Sequence, residues 1–331
     1  MEGFAAAAMI RLVRAGLEAQ NLPLPPLPRS ADARVPIDAK RQALGEIARR
    51  HGVPALLRIP EVLPRLPPGP ALSALRLARD PDDLLDRWHR LERFAHSRHR
   101  IAVERSAPGD LVLVHRSLDP ASGPTAQEDV LVFALITVLC EWSGATALEA
   151  GPIDADERWR RDGRWTEDLA GDVRRGWRIR HAPGRRRWPE EPAISDGGDP
   201  GVRLRDAVAA DPAARWTVDR LAAAAGIGLR SLQRRLAAAG TTPNRLVAET
   251  RLAAAAEFLV AGDAGLAEIG FACGFADQPR FTRTFRRYAG LTPAAYRTAF
   301  AAGGEQAPLT DPDRRTARRA RPRPRRGVTG R

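Results

Sequence analysis

The sequence predicts an α+β chain: a mixed α/β N-terminal region followed by an all-α C-terminal region that carries two helix-turn-helix motifs. Three observations lead there. Two strand candidates flank a turn near position 107, whereas from Val202 onward alanine-rich helical segments alternate with short glycine turns. The stretch `EEPAISDGGDPG`, Glu190 to Gly201, has the turn-rich composition of a linker. Positive charge is concentrated behind it: residues 201–300 hold fourteen arginines against eight acids, and residues 301–331 hold nine against three. The first two hundred residues sum to only +1 of the net +13. That distribution favours a nucleic-acid partner for the C-terminal part. The expected division is therefore 1–189, a ligand-binding or dimerisation domain; 190–201, a linker; 202–302, an all-α DNA-binding domain; and 303–331, an arginine-rich disordered tail.

In the first region an amphipathic helix is expected over Ala8 to Glu18, ended by the proline-rich Pro23 to Pro28. Helical patterning resumes from Asp38 to His51. Prolines 60, 64, 67, 68 and 70 punctuate a loop, and Leu84, Leu85, Trp88, Leu91 and Phe94 then recur at helical spacing. Arg100 to Val103 and Leu111 to His115 read as strands, joined through `SAPGD` as a hairpin. Val130 to Trp142 reads as a buried helix. Its apolar run to Cys140 is too short to cross a bilayer. Residues 158–188 interleave four tryptophans with eleven arginines and four acids. They read either as a second nucleic-acid surface or, preferred because no period organises the charges, as a loosely packed domain edge. Two cysteines, Cys140 and Cys273, make no disulfide framework. The apolar start precedes Arg11 and Arg14, the reverse of a signal peptide, so a cytoplasmic protein is expected.

The C-terminal region carries the most information. Thr217 caps a helix over Val218 to Ala225, Gly226 allows a reversal, and Ile227 plugs the turn. A second helix over Leu229 to Ala238 places Leu229, Leu232 and Leu236 on one stripe and Arg230, Ser231, Gln233 and Arg234 largely off it, with Arg235 beside them. This is the form a major-groove reader needs: one face anchored, the other presenting long donors. Thr242 and Pro243 open a long connecting helix that stops before Gly262. A second unit follows. Leu266, Ile269 and Cys273 share a face, Gly274 turns the chain, and Phe281 and Phe285, four residues apart, anchor a helix. Gln278, Arg280, Thr282 and Arg283 lie on its outer side. Arg286 and Arg287 suit phosphates, and Leu291, Pro293 and Tyr296 begin a short packing helix.

With `SLQRRL` and `GFADQPRFTRTFRRYAGLTPAAYR` in view, the segment from about Trp216 to Arg297 closely resembles the DNA-binding domain of AraC-type transcription regulators. The resemblance implies seven helices, with two recognition helices entering successive major grooves on one face of double-stranded DNA, about one helical turn or roughly 34 Å apart. By position it implies base contacts from Arg230, Gln233 and Arg234 in the first reader and from Gln278, Arg280 and Arg283 in the second. Arg235, Arg286 and Arg287 are expected on the DNA backbone, while Leu232, Leu236, Phe281 and Phe285 keep the reader cores. Gly228 and Ala276 stand where the family commonly has a capping serine; Asp277 shifts the second cap by one residue. Pro279 falls within the first turn, where amides lack helical partners anyway.

The N-terminal region is more distantly similar to the AraC-type subgroup of ornithine-utilisation regulators, through Arg11 to Gly16, Arg34 to Pro36 and Pro67 to Leu75. The expected function is thus a sequence-specific transcription regulator, taken as an activator with repression left open, working as a homodimer under a cytoplasmic small-molecule effector. RNA polymerase is an expected partner; no membrane, cofactor or metal is, and the effector-binding residues are unknown. Three alternatives compete: an effector-independent dimeric regulator or protein-interaction module, a nonspecific DNA-packaging protein acting through the tail, and an enzyme. Against the last, Glu46 and His51 form no metal motif, His96 and His99 in `HSRH` have no evident third ligand, Glu18 and Asp38 have no carboxylate partner, and Ser117 lacks a nucleophile elbow.

Overall fold

The computed structural model describes residues 4–27, 34–66, 69–96, 98–186, 188, 200–238 and 241–301. Positions 190–199 of the expected linker and the whole expected tail lie outside them. The fold class is the one expected: a mixed α/β N-terminal part precedes an all-α C-terminal part built from seven helices among the described residues.

The N-terminal part begins with a two-stranded antiparallel ribbon, β1 (Phe4–Ala6) on β2 (Arg34–Pro36), around α1 (Ala7–Ala19). Gly16 lets α1 press onto the next turn of chain, since a Cβ there would lie 2.7 Å from Ile59 Cα. The helix expected to end at His51 runs on as α2 (Ile37–Arg58), two pieces broken at Gly52, whose φ of +77° no helix accepts. Pro54 sits at the start of the second piece, where its missing amide is harmless. In the proline-punctuated stretch, Ile59–Arg65 forms a 3-10 turn and Pro70–Arg76 forms α3, while Pro67 and Pro68 lie outside the described residues. Next comes α4 (Pro81–Ala95), whose N-cap Asp80 accepts from the Asp83 amide at 2.8 Å.

The main sheet has six antiparallel strands in the order β3-β4-β8-β5-β6-β7: β3 (His99–Ala107), β4 (Asp110–Ser117), β5 (Ala145–Pro152), β6 (Arg160–Arg161), β7 (Arg164–Trp165) and β8 (Trp177–Pro183). The expected hairpin is β3–β4. Its partners β5 and β8 were hidden by composition. Across the sheet lies α5 (Ala126–Trp142), buried nearly all round and opened by a reciprocal cap between Thr125 and Glu128.

The Trp/Arg-rich stretch is corrected by this sheet. Its β6 and β7 form one edge of the sheet, but that edge is packed rather than loose. Trp159 and Trp177 are buried, each meeting Phe133 edge-on with centroids 5.7 Å apart. Arg160 is buried with them and bonds both Glu141 oxygens, at 2.9 and 2.8 Å, and Glu61 at 2.9 Å. Its guanidinium also lies over Trp165, 4.6 Å from the ring centroid.

The C-terminal helices are α6 (Pro200–Ala210), α7 (Val218–Ala225), α8 (Leu229–Ala238), α9 (Pro243–Ala261), α10 (Leu266–Ala272), α11 (Gln278–Ala289) and α12 (Pro293–Phe300). Two cores divide them unevenly. Helices α6, α7, α8 and the start of α9 enclose a small cluster around Leu204, Val208, Leu221, Leu232, Leu236 and Leu246. The rest of α9 with α10, α11 and α12 shares one continuous core with the N-terminal part. There α3 packs on α9, and Tyr296 donates its buried hydroxyl to the Pro70 carbonyl at 2.7 Å. Arg90 of α4 donates to the Ala299 carbonyl, 2.7 Å away, at the end of α12. Among the described residues no helix is long and apolar enough to cross a membrane. Both cysteines are free and buried.

Candidate nucleic-acid interface

Each reading helix is built from its cap upward. Thr217 Oγ1 accepts from the Arg220 amide at 3.2 Å and starts α7. Gly226, left-handed at φ +66°, closes it with its amide turned back on the helix. Ile227 is half-buried against the small core, and α8 follows. Leu232 and Leu236 are buried as expected, but Leu229, read as a third member of that stripe, is 40% exposed because it opens the helix beyond the core's edge. Arg230, Gln233, Arg234 and Arg235 are all exposed.

The second unit repeats the plan with heavier anchors. Glu268 accepts from the Gly265 amide at the start of α10, and Cys273 and Phe275 are buried under the turn. Burial pushes the Cys273 thiol up to about 11, against the Arg251 charge that lowers it. Asp277 is the cap of α11: its Oδ1 accepts from the Arg280 amide at 2.6 Å, and Pro279 sits in the first turn without cost to the ladder. Phe281 and Phe285 are fully buried and meet edge to face at 5.7 Å. Gln278, Arg280, Arg283, Arg286 and Arg287 are exposed, and Thr282 is half-buried.

Every residue expected to read or hold DNA is thus on a solvent-facing helix side opposite a buried stripe. The four reader-core residues are in the two cores. Between the units, α9 joins them and a cleft opens, lined by Arg215, Trp216, Asn244, Arg251, Arg280 and Thr284.

The helix-turn-helix domain family matches residues 221–299. The chain is 37% identical over 81 residues to the transcriptional activator NphR of Rhodococcus sp., an alignment covering 24% of each. It is also 37% identical over 70 residues to the ornithine utilization regulator of Pseudomonas aeruginosa, covering 21% of each. A solved AraC-type DNA-binding-domain-containing regulator from Chromobacterium violaceum aligns at 28% identity, over 33% of this chain and all of that one, with a TM-score of 0.30. Over this segment the chain is similar to helix-turn-helix transcription regulators. It spans about a quarter of the length of the curated relatives it matches. The similarity shows a helix-turn-helix domain over residues 221–299, and the relatives it aligns with are named as regulators of transcription or of ornithine utilization.

One group outside the AraC-type segment was not legible in sequence. His96 and His99 are joined by Glu128, the third ligand that `HSRH` lacked, and their donor atoms lie within 4.8 Å of one another. The set does not fit a metal. His96 Nδ1 accepts from the amides of His99 and Arg98, at 3.0 and 3.3 Å, which puts the ring proton on Nε2. Lys40, the chain's only lysine, already reaches between the groups: it pairs with Glu128, and its Nζ lies 3.3 Å from His96 Nε2. Arg41 adds a second bond to Glu128, and His115 Nδ1 meets Asp129 at 2.8 Å. Burial would raise the Glu128 carboxyl, but Lys40 overrides it and holds it at about 2. Burial, seconded by Lys40, drives His96 down to about 2; burial against the Glu128 charge takes His99 to about 4. The result is a buried polar cluster with neutral imidazoles around the Lys40–Glu128 pair.

Proposed function

We propose that this chain is a sequence-specific, DNA-binding transcription regulator that reads duplex DNA with α8 and α11 together. The observation that carries it is the repeated division of each helix into a buried stripe and an exposed face of arginine and glutamine. Gln233 and Gln278 can each offer a donor and an acceptor to adenine, while Arg230, Arg234, Arg280 and Arg283 can fork onto guanine. Arg235, Arg286 and Arg287 hold phosphates and set the register. The cores of the two readers sit about 49 residues apart in the chain, with the connecting helix α9 and then α10 between them.

The N-terminal part serves as the dimerisation and effector-sensing unit, with residues 1–189 and 202–302 as the two functional domains. Its grip on α9 and α12 gives an effector a route to the second reader. Contact with RNA polymerase and action as an activator in the cytoplasm complete the reading. Genome-wide recovery of bound DNA, then footprinting of one site, should return a short motif protected over two successive major grooves. Equal affinity for specific and random duplexes at physiological salt would overturn it in favour of nonspecific packaging. Titration of a broad metabolite set, read as DNA affinity, separates effector control from its absence.

A further inference from the structure

We infer that Arg251 is a positioning residue that locks the two helix-turn-helix units at one separation. The inference rests on the DNA-reading function proposed above but is carried by a different observation. Arg251 lies in the middle of α9 and shares the cleft between the units with Arg280. Its guanidinium reaches back across 37 and 39 residues of chain. Nε donates to the Pro212 carbonyl and Nη2 to the Ala214 carbonyl, both at 2.8 Å. Those carbonyls belong to the turn that leads into the first unit, a turn closed by Trp216 Nε1 on the Asp211 carbonyl at 2.9 Å.

The other side of the same fork is occupied by the second unit. Gly274, the turn residue between α10 and α11, has φ +77°, and a Cβ there would stand 2.4 Å from Pro212 O and 2.6 Å from Arg251 Nη2. One guanidinium therefore sits where the entrance of the first unit, the connecting helix and the turn of the second all meet. Burial lowers the Arg251 pKa, as does the nearby Arg280 charge, and two backbone carbonyls accept its hydrogen bonds. The planar fork presents Nε–H and Nη2–H to the two carbonyls in a fixed geometry that a compact, freely rotating ammonium does not reproduce. This locking matters because the small core of the first unit is separate from the core that holds the second. Besides α9 itself, Arg251 is a hydrogen-bonded tie between the two.

The test uses the full chain. Spin labels at Ala237→Cys and Arg286→Cys report the distance between α8 and α11 without DNA; both native cysteines are buried. The unmodified Arg251 protein should give one narrow distance distribution. Arg251→Ala should broaden it while thermal unfolding stays cooperative. Arg251→Lys, the milder variant should the alanine form fail to fold, should broaden it as well, because a flexible ammonium lacks the fixed donor geometry of the fork. Unchanged distances in both variants, or a broad distribution in the parent, overturn the inference whatever DNA binding shows. On the footprinted site, inserting one base pair between the two protected grooves should cost the parent about tenfold or more in affinity. The same insertion should cost Arg251→Ala several-fold less. Equal insertion penalties in parent and variant also overturn it. Broadened distances without any sequence-specific binding by the parent would leave the lock standing and remove the DNA-reading proposal.

Discussion

At the scale of single residues, similar-looking positions on one helix have opposite jobs. Phe281 and Arg283 are two residues apart on α11, one fully buried and the other exposed. Phe281→Ala should cost about 3–5 kcal/mol of stability through the cavity it leaves, visible as a lower urea midpoint. Arg283→Ala should leave that midpoint unchanged and weaken specific DNA binding by about 1–3 kcal/mol, relaxing preference at one base pair. Burial pushes Glu92 up to about 7 despite bonds from the Ile101 amide and Trp88, so the folded protein holds a proton that the unfolded chain releases above its ordinary value of 4.5. Its contribution to stability therefore falls as pH rises through that window. His96 and His99 act the other way: with folded values of about 2 and 4 against 6.5, they remove stability as pH falls below 6.5. Glu92→Gln should accordingly steepen the loss of stability between pH 6.5 and 4.5, by on the order of 1 kcal/mol per pH unit. Denaturation curves at several pH values check this; a slope shallower than the parent's would contradict the buried, protonated carboxyl.

Among the elements, legibility in sequence followed the locality of the cause. The readers were clear because caps, turn glycines and apolar stripes lie within a few residues of each other: Thr217 with Gly226, Asp277 with Phe281 and Phe285. Asp277→Ala removes the acceptor for the Arg280 amide and should cost about 1 kcal/mol, with faster amide exchange confined to the first turn of α11. The strands β5 and β8 were not legible, since their apolar positions are filled by Ala145, Leu148, Ala150 and Trp177 among many arginines. Only the sheet brings Arg160 to Glu61 and Glu141, 99 and 19 residues away. The alanine-rich α9 carries no single apolar stripe for a related reason. It is packed on several sides, by α3, α6, α10 and α12, so no single stripe should exist, and Ala255 and Ala256 are where neighbours come close.

For the molecule as a whole, the core does not follow the order of the chain. Phe285, Tyr296 and Phe300 belong to the same apolar mass as Leu56 and Leu139, while Leu232 belongs to a smaller one. Tyr296→Phe keeps the ring but strands the Pro70 carbonyl, at a cost of about 1–3 kcal/mol. Hydrogen exchange should rise in α3 and α12 together, and stay as it was in α7 and α8. A rise in all four would show the two cores to be one cooperative unit. The shared core also bears on how the protein can be divided. A fragment cut at the linker to isolate the seven C-terminal helices would expose the faces of α9 and α12 that α3 and α4 cover. Such a fragment should be prone to self-association, and co-expressing residues 1–189 as a separate piece should restore its solubility.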